Sequence, residues 1–543
     1  MIEKFSRESH EFPQIENNIS PSGFAKIRGR NILLKEATVN IRPIQEHDIE
    51  QVIQLFRANY GDDYAIPEFY DPQWVKRGIY SDHIIWMVIE DDNKQIVASG
   101  ACILNFGDYN DQIGEIGRLV VDPNVGGKGL GKQMLTALVD ASDERVEFAF
   151  AEARTVHPKT QKICDNIGMV PVGFLPMAYK MGWRESFVLS GQLFGNGRSL
   201  RRPGSAEVIP SVAPLAQRSL SNLELDEPIT VRDNVRSYPI DHAVTITPMT
   251  GTSLIRLLKI EQGRLVDPEI FGSMHIDQGM PSLEAQRATY FVASEGERTL
   301  GAIGYFFEEH DQNVRITELI AQENVIKGSL LRFAVEQAEQ VHQAQLIECD
   351  VNAASPTIQQ TLFDMGFLPA AYVPGMVFHN TYRPDVVRMI KLNVPWDLGT
   401  LELTEPSREY FNVVAPAFER ASAERMKKLP ALNTTALKGF TPLEAYLFQR
   451  ASEELSPQPG AVLDPNSLFI VLAGSVEHGL ETIATGGCVN ADLVFGQLDA
   501  IQPKACDGTR LLSLTRPQLT ALCDRYPRLG MKLYQNLAAY RNR

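Results

Sequence analysis

Apolar residues fall at helical spacing in Ile49, Val52, Ile53 and Phe56, just after a short strand over 40–43 and an acidic helix start. Two apolar runs, HIIWMVIEDD and KQIVASGACILNF, then flank a turn at 91–94 and predict an antiparallel pair. GEIGRLVVDP reads as a further strand, followed by a glycine-rich loop and a helix through Lys132 to Ser142. VEFAFAEART predicts a buried strand and HPKTQKICDNIG a short helix ending on Gly168, before two closing strands, GFLPMAYKMG and ESFVLSGQLF.

From Ala243 the same order of elements recurs. VTITPMTGTSLIRLLKIEQ matches the first strand and helix, TYFVASEGERTLGAIGYFFE the hairpin, and RITELIAQENVIKGSLLRFAVEQAEQ the strand, loop and helix. AQLIECDVNAASPTIQQTLFDMGFLPAAYVP supplies the last strand and helix with the same glycine-aromatic exit, Gly366 and Phe367. Two copies of one mixed α/β (α+β) unit are expected. The remaining short strands, SLFIVLAGSVEHG, LETIATGGCV and LLSLT, precede two helical runs and predict a small β-roll with carboxy-terminal helices. The expected divisions are an amino-terminal arm (1–38), a first α/β domain (39–194), a linker or insertion (195–242), a second domain (243–392), a connecting segment (393–439) and the roll (440–543). Gly, Pro, Ser and Arg in GNGRSLRRPGSAEVIPSVAP make Arg198, Arg201 and Arg202 read as solvated linker residues.

The 543 residues carry 52 basic and 67 acidic side chains, a net charge of −15. A surface of that sign repels nucleic acid and anionic membranes, so neither is an expected partner. Six cysteines without C-x-x-C spacing indicate neither a metal site nor a disulfide framework, and fit a reducing cytoplasm. The amino terminus is polar, and no run of about 18 apolar residues occurs, so a soluble cytoplasmic protein is expected.

The densest chemistry lies in Asp122-Pro123-Asn124-Val125-Gly126-Gly127-Lys128-Gly129-Leu130-Gly131-Lys132, between a strand and a helix. Glycines at a helix amino terminus let unpaired N–H groups approach an anion that the helix dipole favours. A P-loop is disfavoured because Gln133 stands where a magnesium-binding hydroxyl belongs, and a dinucleotide fold because the preceding strand follows an antiparallel hairpin.

The segment resembles the acetyl-CoA loop of the GNAT acetyltransferase superfamily, with Val121-Asp122-Pro123 in front and Gly129 and Gly131 in the loop. Asn40-Ile41-Arg42-Pro43 and Asn166-Ile167-Gly168-Met169 extend the resemblance over 39–194, and more weakly over 243–392. It implies an N-acetyltransferase that takes acetyl-CoA as cosubstrate and an amine of a small molecule or a protein lysine as acceptor. Leu119, Val120 and Val121 would pair with the pantetheine arm, and Gly126, Gly127, Lys128, Gly129, Leu130, Gly131 and Lys132 would hold the pyrophosphate. Glu115 is expected as general base. Cys164 stands where the family often carries a thiolate-protonating tyrosine, and a Cys164 nucleophile served by His157 is the rarer alternative. The aromatic and acidic stretch 60–74 lies where the family places its acceptor-side loop.

The second copy has a single glycine, Gly328, in place of that loop, so it is expected to bind no CoA. The roll resembles the cyclic-nucleotide-binding fold through Phe495-Gly496-Gln497-Leu498, with Gln497 and Lys504 where that family has Glu and Arg. It is expected to serve packing or homodimer formation. The competing class is a non-catalytic CoA-binding, sensory or interaction scaffold.

Overall fold

The computed structural model describes residues 31–33 and 38–541, apart from 63, 65–66, 105–111, 126–128, 144, 182, 226, 241–243, 427–433 and 497–501. The arm expected over 1–30 lies outside the described residues, whereas β1 (Asn31–Leu33), also assigned to that arm, pairs with β2 (Thr38–Pro43). Next come α1 (Ile49–Tyr60), α2 (Pro72–Ile79), β3 (Ile84–Glu90), β4 (Ile96–Leu104) and β5 (Ile113–Val121). The stretch read as an acceptor-side loop is thus partly helical, because Asp71 accepts from the Gln73 N–H and Pro72 occupies the first turn of α2. After β5 the chain forms α3 (Leu130–Ser142), β6 (Phe148–Arg154), α4 (Lys159–Ile167), β7 (Val170–Met181) and β8 (Trp183–Leu193). Gly168 ends α4 at φ 85, a left-handed conformation that glycine adopts without Cβ strain.

The expected linker is folded and partly buried: Arg198 and Arg202 are exposed, as expected, whereas Arg201 is not. The segment carries β9 (Glu207–Val208), α5 (Ala213–Asn222) and β10 (Thr230–Val231), and Val208, Ile209, Val212, Leu215 and Leu220 lie in the main core. Arg201 is 5% exposed, with Asp385 and Glu227 as ion-pair partners. Composition alone suggested solvation because both of its partners are distant in sequence.

The second half runs β11 (Thr245–Pro248), α6 (Gly251–Gln262), β12 (Ile270–Phe271), α7 (Met280–Ala285), β13 (Ala288–Glu295), β14 (Arg298–Glu308) and β15 (Asn313–Ala321). It continues with α8 (Lys327–Glu336), β16 (Leu346–Asn352), α9 (Pro356–Asp364), β17 (Leu368–Val373) and β18 (Val386–Leu392). One continuous sheet has the order β1-β2-β3-β4-β5-β6-β8-β7-β17-β18-β16-β15-β14-β13-β11, with β12 pairing off that path to β16. From β2 to β7 and from β11 to β17 the orders mirror each other, and in each half the fourth and fifth strands form the parallel pair.

The halves meet where Ala371 pairs with Gly173, and a Cβ on Gly173 would lie 2.5 Å from the Ala371 Cβ. Over this seam lie α5 and α10 (Glu405–Met426), whose Tyr410 hydroxyl accepts from the Tyr372 N–H and hydrogen-bonds Ser219. Each half also reaches into the other. Arg184 of β8 donates to the Asp311 carbonyl and Asn313 Oδ1, while Arg383, before β18, pairs with Glu147 at 3.0 Å.

The last region begins with α11 (Pro442–Ala451) and contains β19 (Glu453–Leu455), β20 (Ser467–Ala473), β21 (Ser475–His478), β22 (Glu481–Ala484), β23 (Cys488–Val489), β24 (Lys504–Ala505) and β25 (Arg510–Thr515). These strands form two small sheets, β19-β25-β20-β23 and β22-β21-β24, closed by α12 (Arg516–Arg525) and α13 (Pro527–Arg541). Gln497 and Leu498 lie outside the described residues, and Lys504 is exposed on β24.

Candidate active site

Register defines the site. β5 and β6 pair through Ile113 with Phe148, Gly114 with Ala149, and Glu115 with Phe150, and there the pairing stops. β6 continues alongside β8 to Arg154, while β5 stays on β4 to Val121. The strands therefore fork beyond Glu115, and the β6-facing backbone of β5 has no strand partner among the described residues. A bulge opposite Gly100, with Arg118 at φ 53, sits on the open stretch. Leu119 and Val121 rest half-buried against the core beneath α3, and Val120 is buried on the opposite face with α1 and α2.

The amino end of α3 closes the fork. Gly129 precedes the helix at φ 72, and the first helical bond runs from the Gln133 N–H to the Gly129 carbonyl. The N–H groups of Leu130, Gly131 and Lys132 lie ahead of that bond at the positive end of the helix dipole. A Cβ on Gly131 would lie 3.2 Å from Ile163 Cδ1 and 3.5 Å from Leu119 Cδ2, so glycine lets α3 pack close against α4 and β5. Lys132 is exposed; Gly126, Gly127 and Lys128 lie outside the described residues. The free strand edge, bare helix end and exposed cation form a donor set that fits a pyrophosphate-bearing thioester.

The catalytic expectations fare differently. Glu115 is 7% exposed, and both its oxygens accept from Arg118, at 2.5 and 3.0 Å. The ion pair with Arg118 uses one lone pair on each oxygen, so a base role for Glu115 would act from within that pair. Cys164 is fully buried in the core under α3, and burial pushes its thiol up to about 12. The thiolate is disfavoured there near neutrality, and the side chain packs in the core. Burial lowers the His157 pKa, and its Nδ1 is buried without a hydrogen-bond partner. The aromatics of 60–74 pack on one another and on α1: Tyr64 contacts Phe56 and Tyr60 at ring separations of 4.9 Å, and Phe69 contacts Trp74 at 4.9 Å.

A cleft opens at the fork on the face away from α3. Phe150 and Glu152 line it from β6, Tyr179 from β7, and Arg315, Asp350 and Arg388 from the second half. Glu152 keeps its proton to about 7, chiefly through burial and then the Glu115 charge. In sequence it was one carboxylate in FAFAEART. The available signal was strand alternation, which places Glu152 on the face of Phe148 and Phe150.

The matching fork of the second half is filled. β15 pairs with β16 as far as Ile316 with Cys349, and β12 then pairs antiparallel with β16 through Phe271 with Asp350. A Cβ on Gly272 would lie 2.4 Å from the Thr317 carbonyl oxygen, so this segment sits directly against β15.

In the first half, a mixed sheet has one parallel pair, β5 and β6, that splays beside the amino end of α3. Residues 49–161 match the acetyltransferase (GNAT) family, so the first half contains a GNAT domain. Among solved structures, the chain is similar to a spermidine N-acetyltransferase from Vibrio cholerae, at 16% identity and a TM-score of 0.26, covering 29% of this chain and 95% of that one. It is also similar to a ribosomal-protein-S5-alanine acetyltransferase from Vibrio fischeri, at 17% identity and a TM-score of 0.27, covering 30% and 96%. No curated protein matches the chain. No helix among the described residues is long and apolar enough to cross a membrane.

Proposed function

We propose that the chain is an acetyl-CoA-dependent N-acyltransferase whose first half, 39–194, binds the cosubstrate and whose second half, 243–392, is a GNAT-like unit without CoA of its own. The roll over 440–543 is assigned to packing. The carrying observation is the contrast between the two forks: the β5/β6 fork is open beside Gly129 and Gly131, while its counterpart is filled by β12.

In this reading the unpaired edge of β5 hydrogen-bonds the pantetheine amides, and the first-turn N–H groups of α3 with Lys132 receive the pyrophosphate. A neutral amine attacks the thioester carbonyl. The C–N bond forms, the C–S bond breaks, the amine proton passes to a base, and the departing thiolate takes up a proton.

Calorimetric titration with acetyl-CoA tests the assignment. One equivalent per chain is expected. Gly129→Glu should weaken binding at least tenfold, since its Cβ points into open space and carries a like charge to the phosphates. Its φ of 72 costs only about 1–2 kcal/mol of strain, so circular dichroism should confirm a folded variant. Absence of binding at millimolar ligand refutes the enzyme reading, and two equivalents refute the closed second half.

A further inference from the structure

Charge bookkeeping around the cleft leaves one group over. Four carboxyls face it or its walls: Glu115 on β5, Glu152 on β6, and Glu348 and Asp350 on β16. Three guanidiniums answer them: Arg118 on β5, Arg315 on β15 and Arg388 on β18. Arg118 chelates Glu115, Arg315 pairs with Glu348, and Arg388 holds Asp350 through two bonds of 2.8 Å. Glu152 is left with Arg388 at 3.9 Å as its ion-pair contact among the described residues, and with the Tyr179 hydroxyl beside it.

The rest of the wall is apolar: Ile113 and Phe150 from the first half, Phe271, Met376 and Val377 from the second. Alternation along β6 puts Glu152 on the same face as Phe150, the last residue paired to β5, and about 7 Å further along the open arm of the fork.

We propose that Glu152 is the proton acceptor of the transfer, and that this cleft, built by both halves, seats a primary monoamine on an apolar body. The inference rests on the acyl-transfer reading above. Glu152, whose one ion-pair contact is the long Arg388 bridge of 3.9 Å, offers one carboxylate to one ammonium group; a polyamine would bury further cations without partners, and a zwitterion would bring a second anion to a cleft already rich in carboxylates. Proton transfer from the bound ammonium to Glu152 leaves a neutral amine and a neutral carboxyl, so no net charge is created in the desolvated cleft. The free amine then forms the C–N bond. The proton that the new amide nitrogen sheds balances the one taken up by the thiolate, and Glu152 returns its own to solvent after release. The second half thus supplies the far wall of the acceptor site, and its own filled fork contributes Phe271 to that wall.

The test uses the full chain with 2-phenylethylamine, spermidine and a lysyl peptide as acceptors, following thiol release, with acetyl-CoA affinity measured in parallel. The monoamine should be acetylated at least tenfold more efficiently than either alternative. Glu152→Gln should lower kcat about 100-fold or more while leaving acetyl-CoA affinity unchanged, and Glu152→Asp should restore part of the rate. Wild-type kcat/KM should rise with pH to a plateau above neutrality, and the Gln variant should lose that inflection. Phe271→Trp, which fills the cleft from the second half, should raise KM for the monoamine without altering acetyl-CoA binding. A Gln variant with wild-type kcat overturns the role of Glu152, and preferred turnover of spermidine or the peptide overturns the acceptor class. Failure of acetyl-CoA to bind the wild type instead defeats the acyl-transfer reading itself, and the inference with it.

Discussion

Glu152→Gln also makes a thermodynamic prediction that needs no substrate. Burial, reinforced by the Glu115 charge, holds the Glu152 carboxyl protonated to about 7 where an ordinary glutamate ionises near 4.5. The folded chain therefore prefers the neutral form. That contribution is fully present below pH 4.5 and is lost as pH rises through 7. At about 1.4 kcal/mol per pKa unit, the full interval corresponds to about 3 kcal/mol. This is a ceiling, because the side chain is 13% exposed and retains some water. Glutamine mimics the protonated carboxyl and does not titrate. Urea denaturation followed by intrinsic fluorescence should find the two proteins equally stable at pH 4.5, with the variant ahead by about 2–3 kcal/mol at pH 8.5. Equal stability at both values, or a deficit of the variant at high pH, would refute the claim that the Arg388 contact at 3.9 Å does not offset the burial of Glu152.

Cys164→Ala should cost about 1–2 kcal/mol through its small cavity, yet leave the transfer rate per folded molecule unchanged; a hundredfold loss of rate would reinstate the thiol in catalysis. Gly272→Val drives a side chain into the Thr317 carbonyl, so β12 should lift from β16, with faster hydrogen exchange over 268–276 and a loss of about 2–3 kcal/mol; unchanged exchange counts against a tightly seated segment. Arg383→Met strips the Glu147 carboxylate of a partner and the Gly375 and Met376 carbonyls of a donor, and should destabilise by about 3–5 kcal/mol in urea, against less than about 1 if the contact were superficial.

Much of the architecture was legible because it rests on local periodicity. The hairpin of β3 and β4, the α3 repeat and the Gly168 stop each follow from residues within a dozen positions, and the recurrence after Ala243 follows from their order. What escaped was settled by distant partners. Arg201 sits in a segment of linker composition, and only Asp385, 184 positions away, shows why it is buried. β12 is two residues long and has no period of its own; it exists because an unfilled fork in β16 offers it hydrogen bonds. In the site, the glycines of α3 were readable from their density. The roles of Glu115 and Glu152 were not, since Arg118 reaches Glu115 only through a bulge, and Glu152 gains its environment from strands more than 150 residues downstream.

The mirrored strand order has a consequence for how such a protein can vary. In a dimer of identical chains, every substitution appears on both sides of the axis. Here Glu115 and Arg315 occupy the same register position, the third pair of their parallel ladders, and carry opposite charges. Identical subunits would place glutamate opposite glutamate, or arginine opposite arginine, across the cleft. Joining the halves through Gly173 and Ala371 in one polypeptide removes that constraint, so one fork can splay beyond Glu115 while its counterpart is filled by β12.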